Sequence, residues 1–427
     1  RLPYGSEDLQ VQLACMRNGE SVSGSCRPKR TESPLKPSVS GDSVRLANCA
    51  AQAVRLFVFW EDGTKLHGCG WRWCAMKAND VEMAQLFLRA ERMRMCAISS
   101  CERTRKILRR HVERGEVVRP ARGMYARAAY WSGLSKPEKM LHVMRTAQSI
   151  HPDWVFCHES AAVAFGLPVS YERLGAIHVA TTRSNRNANS KTVRWHVVAE
   201  DESVIVQGLR VTSLQRTVFD CMRMADFGQA LAVADFALRL GGGRASAFVS
   251  HVRRIGGNLE GAAHAMRTMH YADARSESGG ESIARAAMIQ HGFALPELQV
   301  ALPRPLDRRR SYRVDFLWTR LDGSRVIGEF DGMQKYEDAA LRGGRTPMRV
   351  LADEQHREAQ LTLYGMPIMR FSSKDVANTG RFVKLLDQYG IPRDDETARV
   401  VRRLSRSRST SAHVFAVCAL HDEPFFA

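Results

Sequence analysis

Two acidic residues interrupt a pair of strand-like runs in "RVDFLWTRLDGSRVIGEFDGMQKY", which spans Arg313 to Tyr336. Apolar residues alternate on both sides of an Asp322-Gly323 turn signal, and the other positions of these runs include Asp315 and Glu329. Neighbouring carboxylates repel each other unless a cation or a proton lies between them. Hard oxygen ligands suit Mg²⁺ or Mn²⁺, which also accept phosphate oxygens. The pattern therefore predicts metal-dependent hydrolysis of phosphodiester bonds.

The geometry of this predicted site depends on the hairpin register. A two-residue turn at Asp322-Gly323 places Asp315 opposite Phe330 and leaves the carboxylates on different faces. A three-residue loop with Gly323 in the left-handed conformation places Asp315 opposite Glu329, at about 5 Å across the strands. The neighbouring apolar residues stay together in either register. The sequence pattern leaves both registers open.

Two further residues are candidates for the same site. Lys335 follows the second run and could orient the attacking water or stabilise the transition state, and it could equally be an exposed loop lysine. Glu281 stands three residues after Ser278 at the start of a helical pattern, as in a capping box. Glu281 therefore either caps the helix or also points toward the metal, and the sequence favours neither alternative.

Other polar residues in the chain have ordinary structural explanations. His158 and Glu159 are adjacent, but the sequence offers no third group at a recognisable catalytic spacing, so a structural role is favoured. Asp220 and Asp235 lie on helical patterns, where helix capping or solvent exposure explains them. Arg357 and Arg370 could contact phosphates or form ordinary surface and strand-end ion pairs, and both alternatives stay open.

A basic helix precedes these regions. "NDVEMAQLFLRAERMRM" and "CERTRKILRRHVERG" read as two helices with Gly115 as a stop, and "EVVRPARGMYAR" reads as two short strands about a turn. Helix, helix and hairpin in this order indicate a winged helix that binds DNA. The predicted phosphate-binding residues lie on the second helix and in the wing: Arg103, Arg105, Lys106, Arg109, Arg110, Arg119 and Arg122.

Composition bounds these expectations. A chain of 427 residues is long enough for two or three domains, and its net charge of +18 favours an anionic partner such as nucleic acid. No apolar run is long enough to cross a membrane and no signal peptide is recognisable, so we expect a cytoplasmic protein with no membrane partner. The cysteines form no CxxC pair, although two pairs with four residues between them could in principle make a four-thiolate metal site.

The first part of the chain resembles the AbiEi-type antitoxin family. The residues that carry the likeness are "LRRHVERGEVVRPARGMYA", "HESAAVAFGLP" and "VTSLQRTVFD", within residues 79–243. The resemblance implies an N-terminal winged helix, DNA-binding autoregulation and a possible toxin-gene partner.

The C-terminal part resembles the Vsr-like branch of the PD-(D/E)XK nuclease superfamily, through "GESIARAAM", "PELQV", "RVDFLW", "VIGEFDGMQKY" and "HREAQLTLYGMPIMRF". This resemblance implies catalytic roles for Glu281, Asp315, Glu329 and Lys335, and metal ligation by Asp315 and Glu329 with Asp331 as an auxiliary acid. The family pattern has a lysine where this chain has Asp331, and the nearest lysine is Lys335.

The expected fold class is α/β. It comprises a disordered leader over 1–78, a winged helix over 79–136, a mixed α/β AbiEi-like middle domain over 137–257, a nuclease-like domain over 276–392 with a central sheet flanked by helices, and a basic tail over 393–427. The expected function is metal-dependent DNA cleavage. The alternative is an AbiEi-type antitoxin or transcriptional regulator whose nuclease-like domain is inactive.

Overall fold

The protein is described by a computed structural model over residues 78–99, 101–182, 189–198, 203–241, 244–255, 259–331 and 347–393. Within these ranges the fold is mixed α/β, with helices surrounding several separate sheets. The predicted leader and basic tail fall almost entirely outside the described residues. No helix in the described ranges is long and apolar enough to cross a bilayer.

The first described elements are two helices and a small sheet. They are α1 (Ala78–Arg92), β1 (Ala97–Ile98), α2 (Glu102–Glu113), β2 (Val117–Ala121) and β3 (Met124–Arg127). The strands form one sheet in the order β1-β3-β2, and Leu108 of α2 is fully buried beneath it with Phe87 and Tyr125. The two helices and the hairpin agree with the prediction, whereas β1 was missed because two residues carry no periodic pattern. The winged-helix assignment stays a prediction.

A mixed α/β region follows. Its elements are α3 (Ala128–Ser132), α4 (Lys136–Ile150), α5 (His158–Phe165), a 3-10 turn (Tyr171–Arg173), β4 (Ile177–Thr181), β5 (Val193–Val197), β6 (Ser203–Val206), β7 (Leu209–Thr212), α6 (Leu214–Met224), α7 (Phe227–Leu240), α8 (Ala245–Ile255) and α9 (Ala262–His270). Strands β4 and β5 pair in parallel, and β6 and β7 pair antiparallel. The fully buried Phe156 and Phe219 belong to the apolar core beneath them.

Local chemistry sets the helix ends in this region. Ser135 and Glu138 form a capping box at the start of α4. Gly166 ends α5 in the left-handed conformation that favours glycine. Ser213 caps α6, and Asp226 caps α7 through its carboxylate. These capping residues give the chain several of its direction changes before the last sheet.

The C-terminal region is built around one four-stranded sheet. Its elements are α10 (Gly279–His291), β8 (Glu297–Arg304), β9 (Asp307–Thr319), β10 (Arg325–Asp331), α11 (Pro347–Thr362), β11 (Ile368–Ser372), α12 (Ser373–Ala377) and α13 (Thr379–Gln388). The strand order is β11-β10-β9-β8, with β10 and β11 parallel and the other pairs antiparallel. Helix α11 is therefore the crossover between the parallel strands, as expected for a β-α-β unit.

Helix α10 also packs against α7 of the preceding region. Phe227 and Leu231 of α7 bury apolar surface against Ala286 and Ile289 of α10. Between these helices, the Arg285 guanidinium donates to the Asp235 carboxylate at 2.7 Å, and both side chains are buried. The expectation that capping or solvent exposure explains Asp235 is therefore wrong, because a distant arginine on α10 pairs with it.

The register of the β9-β10 hairpin is resolved by its loop. Gly323 has a φ of 81°, and the Arg320 amide donates to the Ser324 carbonyl at 2.7 Å. Along the strands, Val326 pairs with Trp318 and Gly328 pairs with Phe316. The hairpin therefore has the three-residue loop, one of the two alternatives that the sequence left open, and the next position sets Asp315 opposite Glu329.

Apolar residues from both strands are buried in two separate clusters. Phe316, Trp318 and Val326 pack with Phe371 and Phe382 in one cluster. In the other, Leu317 and Ile327 pack against Leu361 of α11. Because side chains alternate along a strand, Leu317 and Ile327 share a face with Asp315 and Glu329. Helix α11 therefore covers the face that carries the acidic residues.

Gly328 is required by the close approach of two aromatic residues. A Cβ atom at this position would lie 2.5 Å from the Trp318 ring and 2.9 Å from the Phe316 Cβ. We expect Gly328→Ala to lower the free energy of unfolding by about 1–3 kcal/mol because the core is overpacked. Urea denaturation of the full chain measures the change.

The matched control is Gly175→Ala, because a Cβ at Gly175 meets nothing within 4 Å. We expect a change within about 0.5 kcal/mol at this surface position. Equal stability of the two variants would contradict the assigned packing of Gly328.

Candidate functional site

The acidic residues of the hairpin lie on the face of the sheet that α11 covers. Asp315 is in the middle of β9, with Gln299 of β8 on one side and Glu329 of β10 on the other, as the registers on its two edges require. Glu329 is 9% exposed. The sequence-predicted pair is thus brought together on one face.

Asp315 is held through both carboxylate oxygens. The Phe330 backbone amide donates to Oδ2 at 2.9 Å, so this carboxylate takes the place of a backbone acceptor near the end of the β9-β10 ladder. The Gln299 side-chain amide donates to Oδ1 at 3.4 Å. These two donors fix the orientation of the carboxylate relative to both neighbouring strands.

Gln299 links Asp315 to the third predicted acid. Its amide nitrogen also donates to Glu281 Oε2 at 3.1 Å, so one side chain bridges the strand acid and the helix acid. Gln299 itself has a φ of 54°, an uncommon conformation for a residue other than glycine. Sequence reasoning missed Gln299, because only its place in a short strand-like run marked it.

Glu281 caps the helix, which is one of the two roles that the sequence allowed, and its carboxylate also shares a donor with Asp315. The Ser278 hydroxyl donates to the Glu281 carboxylate at 2.8 Å, and the Glu277 backbone amide donates to it at 2.9 Å. These bonds hold the Glu281 side chain at the start of α10. Burial raises the pKa of Glu281, and the negative charge of Asp315 adds to this rise. The shared Gln299 amide places the capping residue beside Asp315.

Glu329 is paired with an arginine of α11. Arg357 donates to Glu329 Oε1 at 2.8 Å and to Oε2 at 3.2 Å, and also to the Arg313 carbonyl at 2.6 Å. Burial raises the pKa of Glu329, the Arg357 guanidinium opposes the rise and the negative charge of Asp315 adds to it, so that the pKa lies at about 7. Of the two alternatives for Arg357, a phosphate contact or an ordinary ion pair, the structure places an ion pair inside the site.

Asp331 lies two residues after Glu329 on the same strand. Arg370 of β11 donates to both of its oxygens, at 3.1 and 2.6 Å, and to Glu358 of α11 at 3.0 Å. The predicted auxiliary acid is thus beside the site and engaged in an ion pair. Lys335, the predicted catalytic cation, lies outside the described residues.

The donor set fits a hard divalent cation. Asp315 and Glu329 offer carboxylate oxygens from adjacent strands, and a cation would offset both the burial of the Glu329 carboxylate and its repulsion by Asp315. In the described ranges, no three His, Cys, Asp or Glu side chains are arranged as ligands of one metal. Mg²⁺ typically binds through one or two carboxylates and keeps waters or phosphate oxygens, so two carboxylates suffice.

The predicted DNA-binding residues are all exposed. On α2, all five predicted residues are exposed, and Arg119 and Arg122 are exposed on and beside β2. Glu102 at the start of α2 accepts from Arg105 at 3.2 Å and lies 3.9 Å from Arg109. These exposed ion pairs are weak, so the side chains stay accessible to phosphates.

Comparison with known proteins gives relatives without an assigned role. The sequence matches no protein-family model. It is similar to uncharacterized proteins of two Mycobacterium tuberculosis strains, CDC 1551 / Oshkosh and ATCC 25618 / H37Rv, each 30% identical over 204 residues. The match covers 48% of this chain and 65% of each relative.

The pairing of Glu329 with Arg357 predicts a pH-dependent defect. The pKa of Glu329 in the folded protein is about 7, above the ordinary value of 4.5. Protonation of Glu329 therefore stabilises the fold fully below pH 4.5, and this stabilisation is lost as the pH rises through about 7. Arg357→Met removes the cation that offsets this loss. We expect the variant to be destabilised by about 1–3 kcal/mol at alkaline pH and by less at acidic pH.

Urea denaturation at about pH 5 and about pH 8 measures this difference. The control is Arg381→Met, since Arg381 is 74% exposed and pairs with Asp375 on the surface. A defect of the same size at both pH values would show that Arg357 acts by packing and not through Glu329.

Proposed function

We propose that this chain is a DNA-binding protein whose C-terminal region hydrolyses phosphodiester bonds with Mg²⁺ or Mn²⁺. The observation that carries the proposal is the hairpin register, which sets Asp315 opposite Glu329 on one buried face of the sheet. The Gln299 bridge from Asp315 to Glu281 supports it, because it joins a third carboxylate to the pair.

In this proposal Asp315 and Glu329 hold the metal, with Asp331 as the auxiliary acid. When bound, the metal lowers the pKa of a coordinated water and screens the charge on the scissile phosphate. Glu281 has a raised pKa and lies beside Asp315, so its carboxylate can accept a proton from the attacking water. Gln299 and the Phe330 amide keep Asp315 in place during the reaction.

Arg357 already contacts Glu329, one of the proposed metal-binding acids. Its guanidinium donates to both oxygens of Glu329, and it could transfer these donors to oxygens of the scissile phosphate. Arg357 could thus stabilise the transition state alongside Lys335, or in its place. Sequence reasoning treated Arg357 as a general phosphate contact or ion pair and did not assign it this role.

The basic surface of α2 and the hairpin would hold the protein on DNA. Seven exposed cationic residues can neutralise backbone phosphates, which gives affinity without base specificity. A cytoplasmic location suits this role.

The ion pairs that Arg357 and Arg370 form with the acids of β10 favour a second candidate function. Arg357 occupies both oxygens of Glu329, and Arg370 occupies both oxygens of Asp331, where the nuclease pattern would place a lysine. Such pairing would neutralise the acids without a metal. In that case the chain would be a DNA-binding regulator, such as an AbiEi-type antitoxin with a toxin-gene partner, and its nuclease-like region would be inactive.

Nicking of supercoiled DNA tests the nuclease proposal. We expect the full chain to nick DNA with Mg²⁺ or Mn²⁺, and Asp315→Asn or Glu329→Gln to reduce the rate on the order of a hundredfold or more. Comparing Arg357→Ala with Lys335→Ala then identifies which cation contributes to the rate.

The control for these variants is Asp307→Asn, which removes an exposed carboxylate from the same strand as Asp315. This change should leave the nicking rate unaltered. Salt-dependent DNA binding without nicking by the parent protein would support the regulator instead.

Charge reversal on α2 tests the basic surface. We expect Lys106→Glu and Arg109→Glu to weaken binding to all DNA sequences alike, and to reduce the slope of log affinity against log salt by about 1 per lost phosphate contact. Fluorescence anisotropy at several salt concentrations measures both quantities.

Arg253→Glu makes the same charge change on the exposed surface of α8 and serves as the matched control. If it weakens binding as strongly as the α2 variants, DNA is attracted by overall charge and not by this surface.

A further inference from the structure

The region before the last sheet contains a second cluster of polar side chains, which the proposed nuclease does not use. It joins His158 and Glu159 at the start of α5 to His178 of β4 and His196 of β5. His178 and His196 share one face of the parallel strand pair, because His178 pairs with Arg194 and Ala180 pairs with His196. The third group that the sequence did not supply for His158 and Glu159 is therefore present in the fold.

The three imidazole rings of this histidine cluster stack on one another. The ring centroids of His158 and His196 are 3.8 Å apart, and those of His178 and His196 are 5.0 Å apart. His158 adopts a φ of 49°, an uncommon backbone conformation that surrounding contacts must enforce. Asp220 is fully buried 3.9 Å from His158, so the expectation of capping or solvent exposure for Asp220 is wrong.

Two side-chain atoms of the cluster lie close to His178 Nδ1. His178 Nδ1 lies 2.8 Å from His196 Nε2 and 3.6 Å from Glu159 Oε2. A proton on His178 Nδ1 can be donated well to the imidazole or to the carboxylate, but not to both. Glu159 Oε2 accordingly has no hydrogen-bond partner among the described residues, although Glu159 is only 2% exposed.

An acceptor buried without a donor is unfavourable, and a cation in place of the proton would satisfy all three atoms. Four-coordinate Zn²⁺ binds imidazole nitrogen and carboxylate oxygen at about 2.0–2.2 Å, which separates neighbouring ligand atoms by about 3.3 Å. The two separations from His178 Nδ1, 2.8 and 3.6 Å, lie on either side of that value.

We propose that His178, His196 and Glu159 bind a divalent transition metal ion of the Zn²⁺ class. Two histidines and one glutamate leave a fourth position open, and His178 is 15% exposed, which gives access from solvent. The three side chains are not at metal spacing in the described structure. Binding therefore has to bring Glu159 Oε2 about 0.3 Å closer to His178 Nδ1 and to move His196 Nε2 about 0.5 Å away from it.

The surroundings of the cluster support this assignment. Arg173 holds the other oxygen of Glu159 at 2.6 Å, and the Ser160 hydroxyl accepts the His178 backbone amide at 2.8 Å, so outer contacts orient two ligands.

Metal titration of the untagged full chain tests the proposal. The protein carries Asp315→Asn and Glu329→Gln, which removes the other candidate metal site. By calorimetry we expect one equivalent of Zn²⁺ to bind, and His196→Gln to weaken this binding at least about tenfold. The matched control is His151→Gln, at an exposed histidine outside the cluster, and it should bind as the parent does.

Replacement of Zn²⁺ by Co²⁺ provides an independent measurement that does not depend on the folding of a variant. We expect the visible absorption of four-coordinate Co²⁺ without thiolate charge-transfer bands, since the proposed ligands are imidazole and carboxylate. Absence of this spectrum, bands from thiolate ligands only, or equal Zn²⁺ affinity in folded His196→Gln would each overturn the proposal.

Discussion

The three-residue loop that ends at Gly323 is the constraint on which the candidate catalytic face depends. Its left-handed glycine closes the hairpin so that Arg320 pairs with Ser324. That register sets Asp315 opposite Glu329. One residue fewer in the loop would set Asp315 opposite Phe330 and leave the two acids on different faces of the sheet.

The same register also determines which side chains from other parts of the chain contact Asp315 and Glu329. Because α11 covers the acidic face, Arg357 reaches Glu329, and because β8 borders β9, Gln299 reaches both Asp315 and Glu281. Arg357 and a metal ion would compete for the oxygens of Glu329. The balance between these two cations decides between the proposed nuclease and the proposed regulator.

Sequence patterns predicted many of the elements because local chemistry determines them. Ser278 marks the start of α10, Gly115 follows the end of α2, and alternating apolar residues mark β9 and β10. The hairpin register could not be chosen, since the apolar residues stay together in either alternative. The short strand β1 escaped detection for lack of any periodicity.

Side-chain partners were the least predictable feature, because tertiary packing selects them. Arg357 pairs with a residue 28 positions earlier, and Arg285 pairs with one 50 positions earlier. Asp220 and Asp235 illustrate the same limit. A helical pattern shows that a residue is on a helix, but not that a buried arginine lies beside it, as Arg216 does beside Asp220 and Arg285 beside Asp235. The histidine cluster likewise forms only when β4 and β5 pair in parallel.

The central claim is that the paired strand acids bind a divalent cation. Anomalous diffraction from crystals grown with saturating Mn²⁺ tests this claim directly. The account predicts an anomalous peak bonded to Asp315 and Glu329, with Arg357 displaced from at least one oxygen of Glu329. No peak at this position, with Arg357 still bonded to both oxygens of Glu329, would contradict it.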